Sequence, residues 1–548
     1  MDAPQPRLEK ALVAAVLAIG VILRLGFAFA ADRHSLVTVV TDDAFYYVQT
    51  ARHIVAGHGS TFDGIHPTNG YHPLWMAVNL PIAALVADPV GMVRAVLAVS
   101  VACSLLTAML LYAVVRRMCR HWLVPLLAVI LYTLNARAVV GSLNGLETSL
   151  STLLFTALLA FTVAEAHAAE RPGPLRDAAL GLLLGLLFLA RTDNVFFAAA
   201  FFLAGVALVG EGARLRRAAI AAAVAAALAV PWVLWSWVEF GSPVQVSGLS
   251  IPYVHHELYR LEGHSAGEFV WRSARRFLGF LYEGLRGEIG YARPFTAAGL
   301  LLSAAIFARR WRTCSAAARR IALVLLGLLA ASVAHIFVHT AIRWYPRPWY
   351  FDAMMVLLPA VFGIALGVFD PGAAFERLVR ARRPAANPWN ALTRTLLGLA
   401  LAAAVAATAA ASVRALRRGD WPWAREMVDA ADWLRDNTAE GDVAAAFNAG
   451  IFATFSGRPV VNLDGAINNA AYTALRRKRL MEFMRQASVK LYVDFQPAMS
   501  DHFAPFFGDL AARVPMPVVH EIDRPDVRWG DSHIQIRRLE WPPAQGDP

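Results

Sequence analysis

Thr41-Asp42-Asp43-Ala44-Phe45-Tyr46-Tyr47 stands a few residues beyond the first long apolar run, residues 11–30. Two adjacent carboxylates thus lie at the edge of an apolar span. A polar, glycine-rich stretch follows them, Ala56-Gly57-His58-Gly59-Ser60-Thr61-Phe62-Asp63-Gly64. Charged groups at a bilayer are costly to place and by default mark a functional site. The pair therefore predicts chemistry at the mouth of a membrane bundle, with one acid as general base. A plainer reading is that both are solvated and cap a helix beginning at Ala44.

The rest of the chain supplies the bundle. Of 548 residues 57% are hydrophobic and 17% charged, and mean hydropathy is +0.48, which excludes an ordinary soluble globular protein. Apolar runs lie near 11–30, 92–115, 122–136, 148–165, 177–190, 195–210, 218–236, 294–308, 320–339, 350–368 and 393–413. They predict a polytopic α-helical membrane protein of about 11 transmembrane helices, several with uncertain ends. The net charge of +11 would suggest nucleic acid in a soluble chain, but here many arginines fill short loops between apolar runs. Arg7 and Lys10, Arg116, Arg117 and Arg120, Arg214, Arg216 and Arg217, and the clusters 309–320 and 377–394 occupy alternate loops. The positive-inside rule then puts the N-terminus in the cytoplasm and the C-terminal region outside. Arg24 interrupts the first run, so that run reads as a retained anchor although Ala28-Phe29-Ala30 resembles a cleavage site. By the helical rise Arg24 sits roughly 9 Å below the outer helix end, from where it snorkels outward or faces the bundle. Pro73–Val86, broken by Asn79 and Pro81, reads as an interfacial or re-entrant piece.

Two domains are expected, 1–413 in the membrane and 414–548 outside as a soluble α/β unit. In the tail, Trp423–Asn437 reads as an amphipathic helix and 474–487 as a basic one. Asp442–Phe447, Val460–Leu463 and Leu491–Phe495 read as strands. Asn462-Leu463-Asp464-Gly465 ends a strand in a tight turn, for which Asp464 is first a turn former and second a candidate site residue. Cys103, Cys119 and Cys314 support neither a disulfide framework nor a metal motif.

The order of motifs resembles the GT-C membrane glycosyltransferases, which take sugars from polyprenyl-phosphate carriers. Protein mannosyltransferases, lipid A aminoarabinose transferases and mycobacterial arabinofuranosyltransferases belong to that group. The first external loop, with Asp42-Asp43, Ala51-Arg52 and Gly57-His58-Gly59, is similar to theirs. Asn144-Gly145-Leu146-Glu147-Thr148 is similar to a Gly-(Leu/Met)-Glu-Thr signature. Arg191-Thr192-Asp193 stands where relatives have Arg-Pro-Asp or Arg-Pro-Glu, Thr192 being the departure. Phe240-Gly241-Ser242-Pro243 opens a long external loop, 237–293.

The resemblance implies a glycosyltransferase, hexosyl or pentosyl, that moves a sugar to a cell-envelope acceptor hydroxyl, with inversion, on the outer face of a bacterial plasma membrane. The partners it implies are a polyprenyl-phosphate sugar, a glycan, lipid or protein acceptor, and the bilayer, with no nucleic acid. Asp42, in preference to Asp43, is the expected base. Tyr46, His58, His72, Glu147, Arg191, Asp193, Tyr253, Arg343, Tyr345 and Arg347 are the expected substrate-binding residues. Three groups among these have structural alternatives: Glu147 as a helix N-terminal carboxylate, Arg191 with Asp193 as an ion pair, and Arg343-Trp344-Tyr345-Pro346-Arg347 as interfacial anchors. The histidines at 53, 58, 66 and 72 match no compact zinc spacing, whereas paired acids suit Mg²⁺ or Mn²⁺, so a divalent metal stays open. The rival class is a lipid or glycan transporter or flippase; the absence of an evident internal repeat speaks against it.

Overall fold

A computed structural model of the chain describes residues 6–119, 121–168, 172–284, 290, 293–343, 347–369, 388–527 and 529–542. Every apolar run is a helix: Pro6–Ala30, Pro89–Met118, Leu123–Thr133, Thr148–Ala166, Pro174–Ala190, Val195–Ala207, Glu211–Phe240, Arg293–Arg310, Ala316–Arg343, Asp352–Phe369 and Pro388–Arg418. Among the described residues 6 helices are long and apolar enough to cross a membrane. About 11 spans are expected from the sequence; Leu123–Thr133 and Thr192–Ala207 are shorter apolar helices. Pro73–Leu85 is a 13-residue helix, about 20 Å at the helical rise, too short for a hydrocarbon core of about 30 Å. Arg24 faces inward. Its guanidinium donates to Ser142 Oγ at 2.8 Å and to the carbonyls of Thr133 and Gly20, tying the first helix to the 142–147 loop.

The acid pair opens the Asp42–Val55 helix, whose N-cap is Thr41. This helix is buried along most of its length because elements pack on it from several sides. Gly145 lies at φ +79°, and a Cβ there would meet Ala44 Cβ at 2.6 Å. Glycine therefore lets the 142–147 loop lie against the start of the 42–55 helix. Thr41 N–H donates to Asn144 O, and Trp75 Nε1–H to Gly145 O, on either side of this contact.

The last long helix runs on to Arg418, past residue 413, and the chain then enters a five-stranded sheet. Its strands are β1 (Val443–Ala446), β2 (Val460–Asn462), β3 (Val489–Gln496), β4 (Val518–Ile522) and β5 (His533–Arg538), in the order β2-β1-β3-β5-β4. β2, β1 and β3 are parallel, with Ala445 beside Val461 and Tyr492. They are joined by crossovers that carry helices, so their side chains are buried on both faces. β5 is antiparallel to β3 and β4 and alternates, with Ile534 and Ile536 inside. The helix read at Trp423–Asn437 is present as Ala424–Asn437. The basic helix read at 474–487 is instead two, Asn469–Arg477 and Leu480–Gln486, because Lys478 at φ +53° ends the first.

One apolar cluster crosses from the membrane domain into this sheet. Phe45 meets Phe455 edge-on at 5.5 Å, and Ile451, Phe452, Val460 and Val493 belong to the same cluster as Tyr47 and Trp75. The sheet domain is therefore seated on the 42–55 helix.

Candidate active site

Above that seat lies a cavity of about 170 Å³. The 42–55 helix gives it Asp43, Tyr46 and Tyr47, and the segment before the 73–85 helix gives Tyr71 and His72. The 142–147 loop adds Glu147, and the 174–190 helix end adds Arg191. The Val246–Leu261 helix contributes His255, and Arg347 and Tyr350 come from the segment after the 316–343 helix. Asn448 and Asp464 arrive from the sheet domain.

The two acids of the pair point to different tasks. Asp42 is not in the cavity lining. Its Oδ1 accepts Ile451 N–H at 2.7 Å and its Oδ2 accepts Gly450 N–H at 3.1 Å. It thus satisfies the first free N–H groups of the Gly450–Ser456 helix in the sheet domain. The helix expected to begin at Ala44 begins at Asp42, with Thr41 as its N-cap, and Asp42 caps the 450–456 helix instead. Burial, opposed by those hydrogen bonds and reinforced by the neighbouring Asp43, pushes the Asp42 carboxyl up to about 6. Asp43, the next residue, faces the cavity.

Glu147 stands at the start of the 148–166 helix without capping it. Its carboxylate instead accepts Tyr47 Oη–H at 2.9 Å and Arg191 Nη1–H at 2.8 Å. Arg191 forks onto Asp193, Nε to Oδ1 at 3.0 Å and Nη2 to Oδ2 at 2.7 Å, and lies over the Tyr350 ring. His72 links to this network: its N–H donates to Tyr47 Oη, and its Nδ1 meets Thr192 N–H and Gln245 Nε2. The two later motifs of the sequence are therefore one charge network, of which Glu147 and Arg191 line the cavity and Asp193 does not.

Other expected residues lie elsewhere. His58 is exposed beside His53, outside the cavity lining. Tyr253 packs on Tyr472 and Phe506 of the sheet domain, while its helix sends Ser247, Ile251 and His255 to the cavity. Arg343 is the last residue of its helix, and its side chain lies outside the described residues, as does Tyr345. Arg347 reaches the cavity and makes no ion pair among the described residues. His255 was not anticipated. Burial, with His502 and Arg347 nearby, lowers it to about 4, so at neutral pH it is an uncharged hydrogen-bonding group.

Among the described residues one group has metal-ligand geometry, Asp193 with His335 and His339. Their Nε2 atoms stand 3.3 and 2.9 Å from Asp193 Oδ2. Arg191 already occupies that carboxylate, and buried His335 Nδ1 lacks the hydrogen-bond partner that a metal-bound imidazole normally has. These residues fit an Arg–Asp–His charge network rather than a metal.

Residues 415–526 match a family profile described as Domain of unknown function (DUF8728). No curated protein matches the sequence. Among solved structures, the oligosaccharyltransferase of Archaeoglobus fulgidus in the apo form aligns with 92% of this chain and 71% of its own, at TM-score 0.60 and 13% identity. AglB of the same organism, in complex with an inhibitory peptide and a dolichol-phosphate, aligns over 91% and 71%, at 0.57 and 14%. ArnT from Cupriavidus metallidurans, bound to undecaprenyl phosphate, aligns over 96% and 97%, at 0.55 and 14%. The chain has the GT-C fold. At these identities the likeness establishes architecture alone. Within the GT-C fold the acid-pair helix, the second-loop glutamate and the sheet domain meet at one cavity.

Proposed function

We propose that this chain is an integral-membrane glycosyltransferase of the bacterial plasma membrane. In this reading it moves a hexosyl or pentosyl group from a polyprenyl-phosphate donor to an acceptor hydroxyl on the outer face, with inversion. The N-terminus is cytoplasmic and the sheet domain extracytoplasmic. The observation that carries the reading is the cavity itself, which brings the Asp43 carboxylate together with Arg347 and neutral His255 in a protein with apolar spans. Those are the groups that a hydroxyl nucleophile and a phosphate leaving group need.

Asp43, rather than Asp42, then takes the acceptor proton as the oxygen attacks the anomeric carbon. Asp42, with both oxygens on backbone N–H groups, positions its neighbour and the sheet domain. As the anomeric C–O bond breaks, the lipid phosphate leaves with the electron pair and Arg347 balances its growing charge. Glu147, Arg191 and Asp193 hold Tyr47, His72 and Tyr350 in place.

The test is binding of undecaprenyl phosphate to the purified chain in nanodiscs. Arg347→Ala should weaken it about 10–100-fold, the roughly 1.5–3 kcal/mol of a charged hydrogen bond. Unchanged affinity would remove Arg347 from the phosphate site.

A further inference from the structure

Four aspartates gather where the sheet domain meets the membrane domain, and they differ in what their oxygens do. Asp42 gives both to Ile451 and Gly450 N–H. Asp494 gives both to the N–H groups of Phe447, Asn448 and Phe495. Asp43 and Asp464 are the two that line the cavity. Asp464 holds its own turn through Oδ1, which accepts Ala466 N–H at 2.8 Å.

That turn is anchored far beyond what reversing the chain demands. A Cβ on Gly70 would lie 2.3 Å from Ala466 O, so glycine alone lets the first external loop approach the turn this closely. Ser250 Oγ, on the 246–261 helix, donates to Asp464 O. Asn69, fully buried, accepts Asn469 Nδ2–H at 3.1 Å and Val246 N–H at 3.0 Å through Oδ1, and donates to Ser236 Oγ at 2.6 Å. Asn468 Nδ2 donates to Asp63 Oδ2 at 3.3 Å. The first external loop, the end of the 211–240 helix and the long external loop all converge on one turn of the sheet domain.

We propose that Asp464 is a second catalytic carboxylate, delivered by the sheet domain, that shares with Asp43 the proton taken from the acceptor hydroxyl. The proposal rests on the glycosyl-transfer reading. In it the acceptor O–H lies between the two carboxylates. The new C–O bond forms at the anomeric carbon, the bond to phosphate breaks with its electrons on the phosphate, and the proton passes to the pair and then to water. Two carboxylates in one cavity do not ionise independently, since each charge opposes the other. Burial also pushes the Asp464 carboxyl up to about 7, with the charges of Asp43 and Asp42 adding to it. The membrane domain then has an incomplete site without the sheet domain.

Asp464→Asn separates this role from turn formation, because the amide oxygen still accepts Ala466 N–H. The assay is release of labelled sugar from undecaprenyl-phosphate-linked hexoses and pentoses by the full-length chain in nanodiscs, to water or to a membrane-extract acceptor. Asp464→Asn should lose about 10²-fold or more in turnover while binding undecaprenyl phosphate like the parent. The acid limb of its residual pH–rate profile should move to lower pH, because Asp43 loses a like-charged neighbour. A substrate-free readout accompanies it: the infrared carboxyl band of Asp464, identified by its loss in Asp464→Asn, should titrate at lower pH in Asp43→Asn. An active parent with Asp464→Asn within about threefold of it, or an Asp464 band that ignores Asp43→Asn, overturns the proposal. A parent that releases no sugar defeats the glycosyltransferase reading itself, while the infrared result still decides whether the two acids are coupled.

Discussion

Asp42 and Asp43 are consecutive and chemically identical, yet Asp42 accepts backbone N–H groups of the sheet domain while Asp43 lines the cavity. Asp42→Asn keeps one acceptor oxygen but turns an amide NH₂ toward a backbone N–H of the 450–456 helix. It should cost about 1–3 kcal/mol of sheet-domain seating, the range for one lost buried hydrogen bond. Limited proteolysis of the full chain should show faster cleavage within 424–542, with turnover reduced only as far as seating fails. A variant as resistant as the parent would remove Asp42 from the interface. The pair stands out in the sequence, because adjacent carboxylates beside a span are rare enough to read. It could not tell which acid is which, since the partners of Asp42, Gly450 and Ile451, are 408 and 409 residues away. Glu147, Arg191 and Asp193 were each legible as single motifs, and only folding joins them through Tyr47 and His72. His255 carried no signal, being one histidine on a helix that Pro252 and its polar neighbours made look like plain loop.

At the scale of elements, the turn 464–466 and its seat on Gly70 carry the next expectation. Gly70→Ala forces a Cβ onto Ala466 O, so the turn must move. The variant should keep undecaprenyl-phosphate affinity and lose most sugar release; parent-like release would mean the turn tolerates displacement. The sheet domain should also show a defined pH response. Asp464 and Asp494 are both pushed up to about 7 by burial, and Asp42 to about 6, against 3.8 for a free aspartate. The folded state therefore binds more protons than the unfolded state between about pH 4 and pH 7, and stability falls as pH rises through that window. Melting of the full chain followed in the sheet domain should drop from pH 4.5 to pH 8, and Asp494→Asn should flatten the slope. A melting point that rises over that range would contradict the burial of these acids. Strand and helix positions in this domain were readable where apolar runs are continuous, as in β1, β2 and β3. β4 was not, because Val518 and Val519 are exposed and break the alternation, and the break at Lys478 depends on a left-handed residue that composition does not announce.

The whole molecule is a helix bundle joined at one end to a sheet domain that shares its apolar core. Because the arginine-rich loops alternate, a reporter active only outside the cytoplasm should work when fused after Asp420 and be silent after Arg217. The reverse pattern would place the cavity on the cytoplasmic side. Charge alternation and apolar runs made the bundle legible along the chain. The seating of the sheet domain was not, since Phe45, Ile451 and Phe452 read as ordinary apolar residues of separate segments. The claim on which the rest depends is that Asp43 removes the acceptor proton during transfer from a lipid-phosphate donor. The decisive measurement is a single-turnover reaction of parent and Asp43→Asn, in nanodiscs preloaded with radiolabelled undecaprenyl-phosphate sugars and supplied with membrane-extract acceptor. The account predicts that the parent transfers the sugar, and that Asp43→Asn binds the donor equally but transfers about 10²–10⁴-fold more slowly. Parent-rate transfer by Asp43→Asn, or no transfer from any lipid-linked donor by the parent, would contradict it.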